Sequence, residues 1–158
     1  MIKYKPIGVV HTPFKNLEGM PIQPAGAQFV RGTVDVFPEY AEGLRDLGGF
    51  SHIILLYHLH QSADPKLTVT PFLDSKSHGI FATRAPVRPN PIGLSVVKLS
   101  KVEGFTLHVE NIDILNGTPL LDIKPYVPEF DCHSADRVGW LEKAKGSVQK
   151  KKADDRFF

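Results

Sequence analysis

Ser51-His52-Ile53-Ile54-Leu55-Leu56-Tyr57-His58-Leu59-His60 decides the fold class of this chain. Ile53 to Tyr57 is an unbroken apolar run, and a strand of that kind is buried on both faces or closes a barrel. Upstream, Tyr4–Thr12 reads as a strand ending at Pro13, and Arg31–Phe37 sets Val34 and Val36 between polar neighbours at the period of a half-buried strand. Downstream, strands are expected at Leu67–Phe72, Gly79–Thr83, Ile92–Val102, Phe105–Leu115 and, more briefly, Leu120–Ile123. Glu103-Gly104 predicts the tight turn of a hairpin between the two long late strands. Short helices are expected at Glu39–Leu47, stopped by Gly48-Gly49, and at Ser134–Lys145, capped by Ser134 and ended by Gly146. Short strands at regular spacing between glycine and proline signals predict an all-β fold, a barrel or a sandwich.

The 158 residues are 42% hydrophobic, enough for one compact domain with a real core, and 13 glycines with 13 prolines imply many turns. The expected division is a barrel over residues 3–135, followed by a short helix and basic tail over residues 136–158. No stretch approaches the roughly 20 apolar residues of a membrane span, so no membrane association is expected. Met1-Ile2-Lys3-Tyr4-Lys5-Pro6 lacks the features of a signal peptide. Cys132 is the only cysteine, and a cytoplasmic, reducing setting fits that usage. Net charge is only +2, but residues 137–158 carry seven basic side chains against three acidic ones, leaving the rest of the chain at −2. Such a tail suits a phosphate backbone, or it is simply a solvated terminus.

Between Gly79 and Ser95, the central seven residues Ala85-Pro86-Val87-Arg88-Pro89-Asn90-Pro91 pack three prolines with an arginine and an asparagine, just after Arg84. Each proline fixes its own φ and pushes its predecessor toward extended backbone, giving a stiff arm. Arg84, Pro86 and Arg88 alternate onto one side of it. The alternative is a proline-punctuated rim with solvated arginines.

Asp113-Ile114-Leu115-Asn116-Gly117-Thr118-Pro119-Leu120-Leu121-Asp122-Ile123-Lys124-Pro125-Tyr126 is a second dense segment, in which Asp122, Lys124 and Tyr126 share a face. An acid, an amine and a phenol in line can transfer a proton or orient a polar substrate; the alternative is a surface ion pair beside a packing tyrosine. His52, His58 and His60 share parity and could hold a metal, but no cysteine or carboxylate stands nearby and no metal is expected. Ser95 lacks a nucleophile elbow, and neither a dinucleotide-binding nor a phosphate-loop glycine pattern is present. Gly19-Met20-Pro21-Ile22-Gln23-Pro24 reads by composition as a loop.

In these motifs the chain resembles the tRNA methyltransferase O family, also called TsaA-like or YaeB-like. The resemblance runs from about Tyr4 to Phe130. It rests on Ile7-Gly8-Val9-Val10 with Pro13, on Pro21-Ile22-Gln23-Pro24, and on Gly43-Leu44 with Gly49-Phe50-Ser51-His52. It continues through Gly79-Ile80-Phe81-Ala82-Thr83-Arg84, Arg88-Pro89-Asn90-Pro91-Ile92-Gly93, Asp113 with Gly117-Thr118-Pro119, and Asp122-Ile123-Lys124-Pro125-Tyr126. It implies a single-sheet β-barrel, a homodimer, and an S-adenosylmethionine-dependent enzyme that methylates N6 of threonylcarbamoyladenosine beside the anticodon of tRNA. It also implies cofactor contacts at Gln23, Pro24 and Ala25, at His60 and Gln61, at Arg84 and Leu94, and along Glu110, Asn111, Ile112 and Asp113. Ile22 stands where family members often carry arginine, and beyond Asp131 the chain departs from the longer bacterial members.

Within that resemblance, Asp122 or Tyr126 is the expected base for the N6 proton, with Lys124 tuning either group. Asn90 is expected to read an adenine edge or the carbamoyl group, and Arg88 the threonyl carboxylate or a phosphate. Two other readings remain open from the residues: a non-catalytic RNA- or nucleotide-binding barrel, and a metal-dependent hydrolase built on His52, His58 and His60.

Overall fold

The computed structural model describes residues 1–22 and 24–144. Six strands form a closed antiparallel barrel: β1 (Gly8–His11), β2 (Arg31–Val36), β3 (His52–His58), β6 (Ile92–Glu103), β7 (Thr106–Glu110) and β8 (Thr118–Pro125). Their order around the barrel is β1-β2-β7-β6-β3-β8, so the first strand pairs with the last. A separate two-residue ladder, β4 (Thr68–Val69) with β5 (His78–Gly79), lies in the excursion between β3 and β6.

The run from Ile53 to Tyr57 resolves into alternation once the barrel closes. Ile53, Leu55 and Tyr57 point inward and are buried, while Ile54 and Leu56 are half-buried on the outside. Val10, Val34, Val97, Leu107, Val109 and Leu120 complete the same core from the other five strands. A register shift between Leu56 and Tyr57 against β8 sets Asp122 opposite Leu56 and Leu120 opposite Tyr57. Leu121 is the extra residue of that bulge, which lets both Leu120 and Ile123 face the core. The β6–β7 hairpin turns on Gly104-Phe105, one residue later than the Glu103-Gly104 expected.

Five expected elements differ. The first strand is confined to Gly8–His11, and the strand expected over Leu67–Phe72 is the two-residue β4. Residues 80–82, expected in a strand, form a 3₁₀ turn; the Thr83 hydroxyl and amide both close on the Ile80 carbonyl, at 2.8 and 3.1 Å. A side chain that bonds its own local backbone competes with a ladder in this way. Glu39–Leu47 is likewise not an α-helix but two 3₁₀ turns, Pro38–Leu44 and Leu47–Gly49. In place of a helix from Ser134, the chain forms α1 at Pro128–Asp131 and a 3₁₀ turn at Gly139–Ala144. Gly139 takes φ +57, which ends any right-handed helix arriving from Ser134. Lys145 and the basic tail lie outside the described residues.

Candidate active site

A cleft of about 780 Å³ opens at the end of the barrel where β3 stops and β6 begins. One wall is Met20-Pro21-Ile22, and a second is the end of β3 with its extension Leu59-His60-Gln61-Ser62. The proline-arginine arm supplies Arg84, Pro86 and Arg88, the three residues expected on one side of it. Gly93 and Leu94 of β6, and Asp113 to Leu115 of the β7–β8 connection, complete the floor.

That connection is held by its own polar side chains. Asn111 adopts φ 63, a conformation asparagine tolerates, and its Oδ1 accepts the Phe29 amide at 2.8 Å. The Thr12 hydroxyl donates to the Ile114 carbonyl at 2.7 Å, and Asn116 Oδ1 accepts the Thr12 amide at 3.1 Å. Asp113 is thereby fixed at the cleft floor between two anchored neighbours. Its Oδ1 accepts the Ser95 hydroxyl at 2.6 Å, and Ser95 Oγ lies 2.8 Å from the Tyr57 hydroxyl. Because Ser95 spends its one proton on Asp113, the Tyr57 hydroxyl donates to Ser95.

Electrostatics follow from this chain. Burial pushes the Asp113 carboxyl up to about 6, against the Ser95 hydrogen bond, a backbone bond and the Arg84 guanidinium, which favour its charged form. Burial, and then the Asp113 charge, raise the Tyr57 phenol well above its ordinary value, so it stays protonated. Tyr57 fits because its partner across the ladder is Gly93, where a Cβ would overlap the tyrosine ring. Burial holds His60 below the ordinary imidazole value, and neighbouring His58 adds to the effect.

The residues proposed for the cofactor divide accordingly. His60, Gln61, Arg84, Leu94 and Asp113 converge on the cleft. Pro24 and Ala25 open the 3₁₀ turn that follows the Met20–Ile22 wall, and Gln23 lies outside the described residues. Asn111 and buried Ile112 set the path of the connection. Glu110 sits on β7, within 3.7 Å of Arg31 and of Lys98.

Arg88 lines the cleft, yet its Nη1 turns back to the arm, 2.8 Å from the Thr83 carbonyl and 3.2 Å from those of Ile80 and Ala85. It braces the arm. Asn90 is exposed at the arm's tip, and its carbonyl accepts the Ile92 amide at 2.8 Å. Asp122 and Lys124 share a face as expected, 2.9 Å apart, but it is the barrel's outer face opposite Leu56 and Ile54. Tyr126 lies beyond them, its ring edge-on to His52 at 6.2 Å. None of these three lines the cleft. His52 and His58 also face outward, and no group of three or more potential metal-ligating side chains occurs among the described residues. Sequence offers Ser95 only as a nucleophile without an elbow and gives no site signal at Tyr57 or Gly93, because the meeting of the three depends on the β3–β6 register.

The family model for the tRNA-methyltransferase O N-terminal domain matches residues 9–132. A probable S-adenosyl-L-methionine-binding protein of Pyrococcus abyssi is 54% identical over the whole chain, which covers 86% of that relative. The human tRNA (adenine(37)-N6)-methyltransferase is 36% identical over 134 residues, 80% of this chain and 30% of the human protein. Among solved structures, TrmO from Pseudomonas aeruginosa superposes with a TM-score of 0.74 at 39% identity, covering 89% of this chain and 62% of that one. This chain thus spans about three fifths of the solved chain. With the barrel, the arm and the cleft in place, these matches show that the chain belongs to the tRNA-methyltransferase O family.

Proposed function

We propose that the chain is an S-adenosylmethionine-dependent tRNA methyltransferase acting on N6 of an adenine, and that this adenine carries a threonylcarbamoyl group. The observation that carries this reading is the cleft itself, where Arg84 and the half-buried Asp113 meet at one end of the barrel. S-Adenosylmethionine joins two cationic centres, a carboxylate and an adenine. The cleft matches that set with one carboxylate, a guanidinium and apolar walls from Met20, Leu59 and Leu94. When bound, it supplies a methyl group activated by the sulfonium.

The rest is the work of the chain's own residues. Positioning carries much of a transfer rate, and the arm is stiffened for it by prolines and by the Arg88 brace. A carbonyl on N6 acidifies its proton, so a base with a pKa near neutrality is useful. Asp113 is the one carboxylate among the described residues lining the cleft, and it replaces Asp122 and Tyr126 as the proposed base. Asn90 at the arm's tip remains the proposed reader of the acceptor, and the outer Asp122–Lys124–Tyr126 row a contact for the rest of the tRNA.

A homodimer is part of the proposal. Ile92 and Leu94 are 43% and 50% exposed, and they carry the cleft onto the outer face of β6 beside half-buried Leu56. A second copy seated there would cover an apolar strip and bring the cofactor to the subunit boundary. Light scattering at micromolar concentration should give twice the chain mass; a fully active monomer would refute it.

The central test is transfer of labelled methyl from S-adenosylmethionine to tRNA with and without the threonylcarbamoyl group. Incorporation is expected only with the group present. Equal labelling of both tRNAs would remove the modified base from the proposal, and cofactor binding without any labelling would favour a non-catalytic nucleotide-binding barrel.

A further inference from the structure

Trp140 and Leu141 line the cleft although they lie beyond residue 132, where the family match ends. The chain around them is mostly exposed, yet Trp140 is half-buried and tied down twice. Its indole Nε1 donates to the Ala82 carbonyl at 2.7 Å. Its ring stacks on His78, with centroids 4.9 Å apart and planes 18° from parallel. His78 is held in turn by Asp74, Nε2 to Oδ2 at 2.7 Å, and Asp74 sits below the usual carboxylate range because of that bond first. Next to this anchor, Phe81 stands 75% exposed, with the Arg88 guanidinium 5.9 Å from its ring centroid.

We infer that Trp140 and Phe81, with Leu141 beside them, form a corner of the cleft that seats a purine ring, making Trp140 a base-stacking residue supplied from outside the family core. An indole fixed at its nitrogen and on one face loses little freedom when a base packs against it. A large aromatic side chain left exposed in a cleft lacks the partner its surface calls for. Flat bases are the ligands such corners hold without sequence preference. The inference rests on the proposed nucleoside chemistry of the cleft, which offers two purines, the cofactor's adenine and the acceptor base.

Trp140 is the only tryptophan, so its emission in the wild-type chain reports on this corner alone. Titrations with S-adenosylmethionine, adenosine, methionine and threonylcarbamoyladenosine, each run in parallel with calorimetry, separate the sources. Quenching by S-adenosylmethionine and adenosine but not methionine assigns the corner to the cofactor's base. Quenching by threonylcarbamoyladenosine alone assigns it to the acceptor. Trp140→Ala should then raise KM for that ligand by about 5- to 150-fold with kcat little changed, the range expected for one stacked base. Trp140→Phe should recover part of the loss. Calorimetric binding with unchanged emission would overturn the inference and leave the cofactor reading intact. No heat of binding with any purine would overturn both.

Discussion

An Asp113→Asn variant is expected to be more stable than the wild type at neutral pH while binding S-adenosylmethionine more weakly. The carboxyl sits near 6 in the folded chain, against an ordinary value of 3.8. Between those two pH values the folded state binds more protons than the unfolded one, so the wild type loses stability as pH rises through the window. Above it, the ionised carboxylate costs up to about 3 kcal/mol, taking 1.36 kcal/mol per unit. Asparagine does not titrate, and its carbonyl still accepts the Ser95 hydroxyl. At pH 7.5 the variant should melt several degrees higher; below pH 4 the two should coincide. Affinity for the cationic cofactor should fall at least tenfold, and in the wild type it should climb with pH through about 6. A variant that melts lower at pH 7.5, or binds as well, would remove the Asp113 charge from this account.

Arg84→Ala should act on the same site without the gain in stability, weakening cofactor binding far more than folding. The side chain is exposed on the arm, so its removal leaves the core clusters untouched. Its charge favours ionised Asp113 and ionised Tyr57, and without it the Asp113 carboxyl should titrate higher still. The pH at which affinity is half-developed should therefore move upward. The lost charge-assisted hydrogen bond, worth about 1.5–3 kcal/mol, predicts a roughly 10- to 150-fold weaker Kd by calorimetry at pH 7.5. Unchanged affinity would reassign Arg84 to the RNA or to the arm's structure.

Much of the barrel was legible because Ile53–Tyr57, Val34/Val36 and the hairpin around Gly104 carry their pattern locally. The turn at residues 80–82 and the one at residues 139–144 were not, since each is decided by a bond formed in the folded chain: Thr83 to Ile80, Trp140 to Ala82. The arm's geometry was readable from its prolines, but not that Arg88 would spend a nitrogen on the arm's own carbonyls. Alternation placed Asp122 and Lys124 correctly on one face, while Tyr126 lies past the end of β8. Period two cannot say whether that face is inside or outside, and the bulge at Leu121 settles it. Asp113 entered through family resemblance; its chemical character comes from Ser95 and Tyr57, which only the β3–β6 register brings to it.

The pairing of the first barrel strand with the last also bears on how the protein is made. During synthesis β1 and β2 emerge early, but the free side of β1 must wait for Thr118–Leu120. Until then the nascent sheet has open edges, which invite pairing with other chains, and closure depends on contacts far apart in sequence. The cleft is later still, for its outer corner needs Trp140. No truncated product can therefore assemble the whole pocket, and ligand present during translation should rescue only chains whose synthesis has passed that corner.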